Sequence, residues 1–207
     1  MKKIFFIAAV LTNTQLCNAQ TKIAIRGGFN YSTARVSQYE IKKPGGYNSG
    51  YGLGILFKVP FDELLHFSPY IAFNRRGFKY NTQRNPDSAV SNMISYLDIV
   101  PAVSLDIPAG KNAFVISAGF NVSVALSGKE KITSGRTSST KKMIFDIGSN
   151  YGIFDLGLNT SIAYHLKKVF VEAGFLYGLS DINNYYDKNG LNIRNRMFSF
   201  NIGYYIK

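Results

Sequence analysis

From Ile23 to the end of the chain, large apolar residues alternate with small or polar residues with a period of two. Successive side chains of a β-strand point to opposite faces, so this pattern predicts strands rather than helices. Eight segments show it, and together they cover most of the chain: residues 23–31, 50–59, 67–74, 97–107, 114–127, 154–165, 171–180 and 198–206.

The segments are eight to fourteen residues long, whereas strands of soluble proteins average about 5–6 residues. A strand that crosses a membrane at a tilt of about 45° needs about 9–11 residues. One face of nearly every segment is large and apolar, and the other is rich in Gly, Ser and Asn. That second face suits the narrow interior of a small barrel. The sequence therefore predicts an all-β fold, an eight-stranded antiparallel up-and-down transmembrane β-barrel.

The links between the segments alternate strictly between short and long. The short links are 60–65, 108–111 and 167–168, and the long links are roughly 33–48, 80–92, 128–152 and 181–195. Outer membrane barrels have short periplasmic turns and long extracellular loops, so both termini are expected in the periplasm. Local bulges are expected at Pro69 and Pro101, because proline cannot donate to a strand ladder.

The start of the chain has the features of a secretory signal peptide, with two early lysines, a short apolar run and a small residue at Ala19. We expect residues 1–19 to be removed, so that the mature chain begins at Gln20. No composition shift divides residues 20–207, which are interpreted as one barrel domain. A lipoprotein anchored through Cys17 is the alternative, but Leu16 stands where a small residue would be required.

The composition agrees with a β-protein that exposes little surface to water. The chain has 14 Tyr, 16 Phe and 19 Gly, and its charged residues make up only 17%, against roughly 25% in an average soluble domain. Its formal net charge is +12. A net positive charge of this size is consistent with binding to either nucleic acid or anionic lipid headgroups. The positions of the cations along the chain distinguish the two.

Charged residues on the small face of the segments are of both signs, and we expect them to pair inside the barrel. Asp98 and Glu172 could alternatively act as an acid–base pair, but ion pairs with Arg26 or Arg76 are the preferred interpretation. The predicted structural network in the lumen consists of Arg26, Lys58, Arg76, Asp98, Asp155 and Glu172, with Asp106 on the same face.

The third long link is strongly basic. Its cations, set against Glu130 and Asp146, are Lys129, Lys131, Arg136, Lys141 and Lys142. Such a loop would be stabilised beside phosphorylated headgroups, which makes outer membrane lipid the predicted partner. A nucleic-acid site would combine cations with aromatic residues, whereas these lie among Ser, Thr and Gly, so no nucleic acid is expected. A specific anionic ligand remains the alternative.

Candidate catalytic and metal-binding residues are few. His66 and His165 both fall at the predicted periplasmic end, and two histidines without a clear third ligand do not make a metal site. The glycines of Gly50–Gly54 lack the Lys-Ser/Thr and the helix of a phosphate-binding loop. We therefore predict no enzyme activity, no cofactor and no metal.

Several segments, taken in order, resemble the PorT-like outer membrane β-barrel family. They are Lys22–Ser32 (KIAIRGGFNYS), Tyr51–Tyr80 (YGLGILFKVPFDELLHFSPYIAFNRRGFKY), Tyr96–Ile107 (YLDIVPAVSLDI), Val171–Asn183 (VEAGFLYGLSDIN) and Arg196–Tyr205 (RMFSFNIGYY). The resemblance implies an eight-stranded barrel in the outer membrane of a Gram-negative bacterium. The family is named for a role in protein secretion, so envelope or secretion proteins are implied partners. Such barrels usually end in an aromatic residue, whereas this chain ends in Lys207.

These observations predict a non-enzymatic outer membrane barrel that is structural or binds a partner, with an accessory role in protein secretion implied by the resemblance. Three alternatives stay open at this point: a small pore, a lipid-modifying outer membrane enzyme and a soluble lipocalin-like ligand-binding barrel.

Overall fold

A computed structural model of the protein describes residues 21–38, 41–82, 85–145, 151–183 and 192–207. The predicted signal peptide and its cleavage site at Ala19 and Gln20 lie outside the described residues. Within the described part of the chain, no helix is long and apolar enough to cross a membrane.

The described residues form twelve strands in one sheet. In chain order these are β1 (Lys22–Gln38), β2 (Ile41–Pro44), β3 (Gly46–Pro60), β4 (Leu65–Phe67), β5 (Tyr70–Thr82), β6 (Asn85–Val100), β7 (Ala102–Ala109), β8 (Asn112–Ser134), β9 (Thr137–Lys142), β10 (Phe154–Leu166), β11 (Val169–Gly178) and β12 (Asn192–Tyr205).

The sheet closes into a barrel of eight antiparallel staves, where a stave is one crossing of the wall. β4 and β5 together form the third stave, β6 and β7 form the fourth, and each stave pairs with its neighbours along the chain. The first stave closes the barrel because Arg26 of β1 pairs with Gly54 of β3 on one side and with Gly203 of β12 on the other. The predicted eight-stranded up-and-down barrel is confirmed.

The two ends of the barrel differ. One end, here called the turn end, carries residue 21 and the chain terminus together with the short links 61–64, 110–111 and 167–168. The opposite end, the hairpin end, carries the longer connections. There the predicted loops 33–48 and 80–92 are wrong in part, because β1 continues to Gln38 and β5 to Thr82. These extensions stay paired because their inward side chains, such as Val36 and Phe78, are buried.

Pro69 and Pro101 interrupt the staves rather than forming the bulges that the sequence predicts. β4 ends before Pro69, and β6 ends immediately before Pro101. The two interruptions are neighbours, since Tyr70 pairs with Val100 on one side of the break. A hydrogen bond from the Ser68 N–H to the Ala102 carbonyl, at 2.7 Å, joins the two strands across it. The wall therefore remains continuous although neither proline can donate a backbone hydrogen bond.

Candidate functional site

The outer wall of the barrel is apolar. Large hydrophobic side chains alternate outward on every stave, and several are more than half exposed, including Phe29 at 78%. Other members of this belt on separate staves are Leu53, Phe120, Phe154 and Phe200. A soluble monomer rarely exposes a contiguous apolar surface of this kind, which marks contact with a membrane or another protein.

The centre of the lumen is an ion-pair network around Arg76, whose side chain is only 1% exposed. Its Nη1 lies 3.1 Å from the Asp98 carboxylate, and its Nη2 lies 3.0 Å from Asp155 Oδ2. The guanidinium also stacks 3.9 Å from the centroid of the Tyr96 ring. One arginine thus bridges carboxylates on two staves, which compensates charges that would otherwise be very costly to bury.

Amide side chains complete the coordination of both central carboxylates. Asn74 donates to Asp98 Oδ2 at 2.6 Å, and Asn195 donates to Asp155 Oδ2 at 2.7 Å. These asparagines are absent from the predicted network: Asn74 lies at the end of a predicted segment, whereas Asn195 falls in the predicted loop 181–195 and is part of β12 in the structure. Arginine and amide donors thus occupy oxygens of both carboxylates, which leaves Asp98 and Asp155 poorly placed for proton transfer.

A second ion pair joins Arg26 to Glu172. Arg26 Nη1 lies 2.7 Å from Glu172 Oε1, to which the Asn201 amide also donates at 2.9 Å. The Arg26 guanidinium lies 3.8 Å from the centroid of the Tyr70 ring. Asp98 and Glu172, considered above as an acid–base pair, are therefore each held by a different arginine.

The third ion pair lies at the turn end. Lys58 Nζ donates to Asp106 Oδ1 at 2.6 Å, and His66 Nδ1 lies 3.6 Å from the same carboxylate. Asp155 faces the lumen as Asp106 does, but it pairs with Arg76 in the central network. Five of the six residues of the predicted lumen network therefore form two separate groups, and the sixth, Lys58, pairs with Asp106 nearer the mouth.

Side chains fill the lumen above and below the polar centre. A cluster that includes Leu56, Tyr70 and Phe170 lies toward the turn end, and one that includes Phe78 and Tyr96 lies toward the hairpin end. The cavity left between the inner side chains is about 20 Å³, room for about one water molecule. The interior is thus a packed polar and apolar core.

Glycines on the inner face make room for this packing. A Cβ added at Gly52 would lie 2.1 Å from Asn74 Oδ1, and one added at Gly54 would lie 2.7 Å from the Ile71 carbonyl oxygen. The glycine-rich segment 50–54 therefore lets the side chains and backbone of the neighbouring stave approach closely.

The two histidines have structural surroundings. His165 stacks on Phe170 with ring centroids 5.0 Å apart and lies 5.5 Å from the Tyr205 ring centroid. His66 lies beside Asp106. Among the described residues, no group of three or more His, Cys, Asp or Glu side chains could hold a metal ion.

The predicted basic loop is a β-hairpin at the hairpin end. Lys129 and Lys131 lie on β8, Lys141 and Lys142 lie on β9, and Arg136 lies in the turn between the two strands. The sequence predicts a loop over 128–152, whereas in the structure residues 129–134 pair with residues 137–142. All five side chains are exposed.

The faces of this hairpin differ in charge. Lys129 pairs directly with Lys142, so the two side chains share a face with Lys131, two residues farther along β8. Glu130 points to the opposite face, where it accepts a hydrogen bond from the Tyr151 hydroxyl at 3.0 Å. The outward face of the hairpin therefore presents three lysines, and its acidic residue is directed inward.

The inward face of the hairpin is anchored. Met143, immediately after β9, is buried, and its N–H donates to the Gly128 carbonyl at 2.9 Å. Burial raises the pKa of Tyr151, which lies outside the strands, and the nearby Tyr80 and Glu130 raise it further. Tyr151 therefore remains a neutral donor to Glu130 and fixes the orientation of the hairpin.

Residues 18–184 match the family described as "Outer membrane protein beta-barrel domain". The chain belongs to this outer membrane β-barrel family. No curated protein matches the sequence.

Several solved structures are similar to this outer membrane barrel. Neisserial surface protein A (NspA) has 13% identity and a TM-score of 0.46, over 88% of this chain and 96% of that one. Ail, the attachment invasion locus protein of Yersinia pestis, has 14% identity and a TM-score of 0.45, over 91% and 99%. OprG from Pseudomonas aeruginosa also has 14% identity and a TM-score of 0.45, over 91% and 97%.

Family membership assigns the barrel to the outer membrane and gives the apolar belt its meaning as the lipid-facing wall. It also removes the soluble lipocalin-like alternative, in which the same large apolar side chains would have to point inward. Phe29 and Phe200, which pair across β1 and β12, instead point outward together.

Proposed function

We propose that the protein is a non-enzymatic outer membrane barrel whose basic hairpin binds the phosphorylated headgroups of the outer leaflet. In the proposed orientation the hairpin end faces the cell exterior and the turn end faces the periplasm. The precursor of this Gram-negative protein is cleaved between Ala19 and Gln20. The observation that carries the proposal is the outward-facing set of Lys129, Lys131 and Lys142.

The position of these lysines relative to the apolar belt supports headgroup contact. Leu126, on the same strand, is 54% exposed and belongs to the belt. Lys129 follows three residues later, a rise of about 10 Å along the strand at roughly 3.3 Å per residue. The headgroup region extends roughly 5–7 Å beyond the hydrocarbon on each side, and a lysine side chain is long and flexible enough to reach it.

The alternatives receive less support from the geometry. A lipid-modifying enzyme would need an acid–base group near the outer leaflet, and His66 and His165 lie at the other end of the barrel. A small pore would need a water path, and the lumen is filled. Resemblance to the PorT-like family supports an additional role as an accessory to protein secretion, with the barrel as the membrane anchor of an envelope partner.

The test compares lipid-dependent stability of the refolded barrel with that of a K129Q/K131Q/K142Q variant. Both proteins are placed in nanodiscs with and without diphosphorylated lipid A, and their unfolding temperatures are measured by circular dichroism. A headgroup site raises the unfolding temperature of the parent with lipid A, because a ligand of the folded state stabilises it. The variant should lose most of this increase.

The matched control is a K111Q/K167Q/K168Q variant, which removes the same charge at the turn end. It should retain the lipid A effect. If both variants lose the lipid A stabilisation equally, the effect depends on net charge and not on the hairpin. If lipid A does not raise the unfolding temperature of the parent, the proposal is refuted. Mass spectrometry of the recovered lipid A should show an unchanged mass, as a non-enzymatic barrel requires.

A further inference from the structure

The turn end of the barrel contains a large open cavity. Its volume is about 820 Å³, within the roughly 300–1,000 Å³ range of small-molecule sites. It opens at the short turns of this end of the barrel. In the proposed orientation, a ligand would enter from the periplasm.

The cavity is strongly basic. Six lysines line it, from the ends of β1 and β3, the turns and the chain terminus: Lys22, Lys58, Lys111, Lys167, Lys168 and Lys207. Of the described residues that line it, Asp106 alone carries a carboxylate side chain, and Asp106 is engaged by Lys58. Asp62 and Glu63 lie in the neighbouring turn and not in the lining. The other five lysines have no ion-pair partner among the described residues.

The backbone of one turn supports a specific role for these lysines. Lys167 has a φ of +55°, in the left-handed region. A two-residue hairpin turn usually places Gly, Asn or Asp there, because a longer side chain is disfavoured. Here both turn positions are lysines. Strain kept at such a position is a reason to look for function.

The floor of the cavity is aromatic. His165 and Tyr205 line it, and both pack against the buried Phe170 ring. The packed lumen lies beyond this floor. The cavity, called the cup below, is therefore closed at its inner end by packed side chains and does not lead into a channel.

We propose that this cup binds a soluble multivalent anion with several phosphate or carboxylate groups. Five uncompensated ammonium groups around one small volume repel each other, and a polyanion relieves this repulsion while forming charge-assisted hydrogen bonds. Lysine side chains are flexible point charges that accept either phosphate or carboxylate. The proposal uses different lysines from the headgroup site and is measured in the absence of lipid.

The test is isothermal titration calorimetry of the full mature barrel in a zwitterionic detergent. Tripolyphosphate and tetraglutamate are the two probes, and single glutamate is the monovalent comparison. We expect saturable binding of one polyanion per barrel that weakens as salt is added. The affinity of the K111Q/K167Q/K168Q variant should be lower than that of the parent by at least about tenfold. The K129Q/K131Q/K142Q variant should bind like the parent.

A gain of binding provides a second readout. Asp106→Asn removes the carboxylate that holds Lys58, so this variant should bind the polyanion more tightly than the parent, an outcome that structural damage would not produce. Tighter binding of tripolyphosphate would indicate a phosphate-bearing ligand, and tighter binding of tetraglutamate would indicate a carboxylate-bearing ligand. The proposal is overturned if the parent shows no saturable binding, or if the variants at both ends of the barrel lose binding equally. Migration of unboiled samples on gels checks that each variant is folded.

Discussion

At the scale of single residues, the two faces of one strand are distinguished most sharply at Gly27 and Gly28. A Cβ added at Gly28 would lie 1.9 Å from the Phe200 carbonyl oxygen, whereas one added at Gly27 would meet nothing closer than 3.4 Å. The atom that blocks Gly28 belongs to the backbone of β12, which cannot move without disturbing barrel closure. Close packing against β12 therefore requires glycine at Gly28 but not at Gly27.

We expect Gly28→Ala to destabilise the barrel by about 1–3 kcal/mol, as overpacked sites do. Gly27→Ala should be neutral, or should stabilise the barrel by up to about 1 kcal/mol, since alanine loses less entropy than glycine on folding. Urea unfolding followed by circular dichroism measures both. Equal effects of the two substitutions would show that β1 and β12 are not as closely packed as the structure indicates.

Arg76 carries the largest expected energetic effect of the lumen residues. Arg76→Met leaves Asp98 and Asp155 without their shared cation, and breaking a buried ion pair from one side typically costs about 3–5 kcal/mol. The same unfolding assay checks this. Arg136→Met, the same change at an exposed hairpin turn, should have little effect.

A rescue experiment separates charge from packing at Arg76. Combining Arg76→Met with Asp98→Asn and Asp155→Asn removes all three charges and should recover part of the lost stability. If the triple variant is no more stable than Arg76→Met alone, the loss comes from the missing side-chain volume and not from uncompensated charge.

The charged residues of the lumen could be predicted from the alternation, and their partners could not. Period two assigns Arg76 and Asp155 to the inner face, but they lie 79 residues apart in sequence. Their contact depends on the stagger between staves, which is set by closure around the whole barrel. The roles of Asn195 and Tyr96 were missed because both residues lie just outside the predicted segments 198–206 and 97–107.

At the scale of elements, the staves could be predicted and their extensions could not. The predicted segments rest on apolar residues of the outer wall, and that signal stops where the strands leave the membrane. Beyond it the outward residues are polar, as at Lys129 and Lys131, so the sequence resembles a loop. The strands continue because inward residues such as Ile94 and Val36 are still buried and the ladder satisfies the backbone.

At the scale of the whole molecule, positive charge is divided between two places with different access. The lysines of the hairpin face outward at one end of the barrel, and those of the cup line the mouth of the barrel at the other. Net charge and composition contain no trace of this division, which only the barrel topology creates. Because the two groups are far apart, each triple variant is a charge-matched control for the other.

The packed lumen also determines what the whole barrel should do in a membrane. The polar centre around Arg76 lies between two apolar layers, and the inner cavity of about 20 Å³ is too small for a continuous file of water. We therefore expect no discrete current steps when the refolded protein is added to planar lipid bilayers in concentrated salt. A Phe170→Ala variant, which opens only the floor of the cup, should also be silent because the Arg76 network still blocks the path. Steps from the parent protein would show that the lumen side chains rearrange in the bilayer and would restore the pore as the leading function. Steps from the variant alone would instead identify the Phe170 floor as the barrier that closes the barrel.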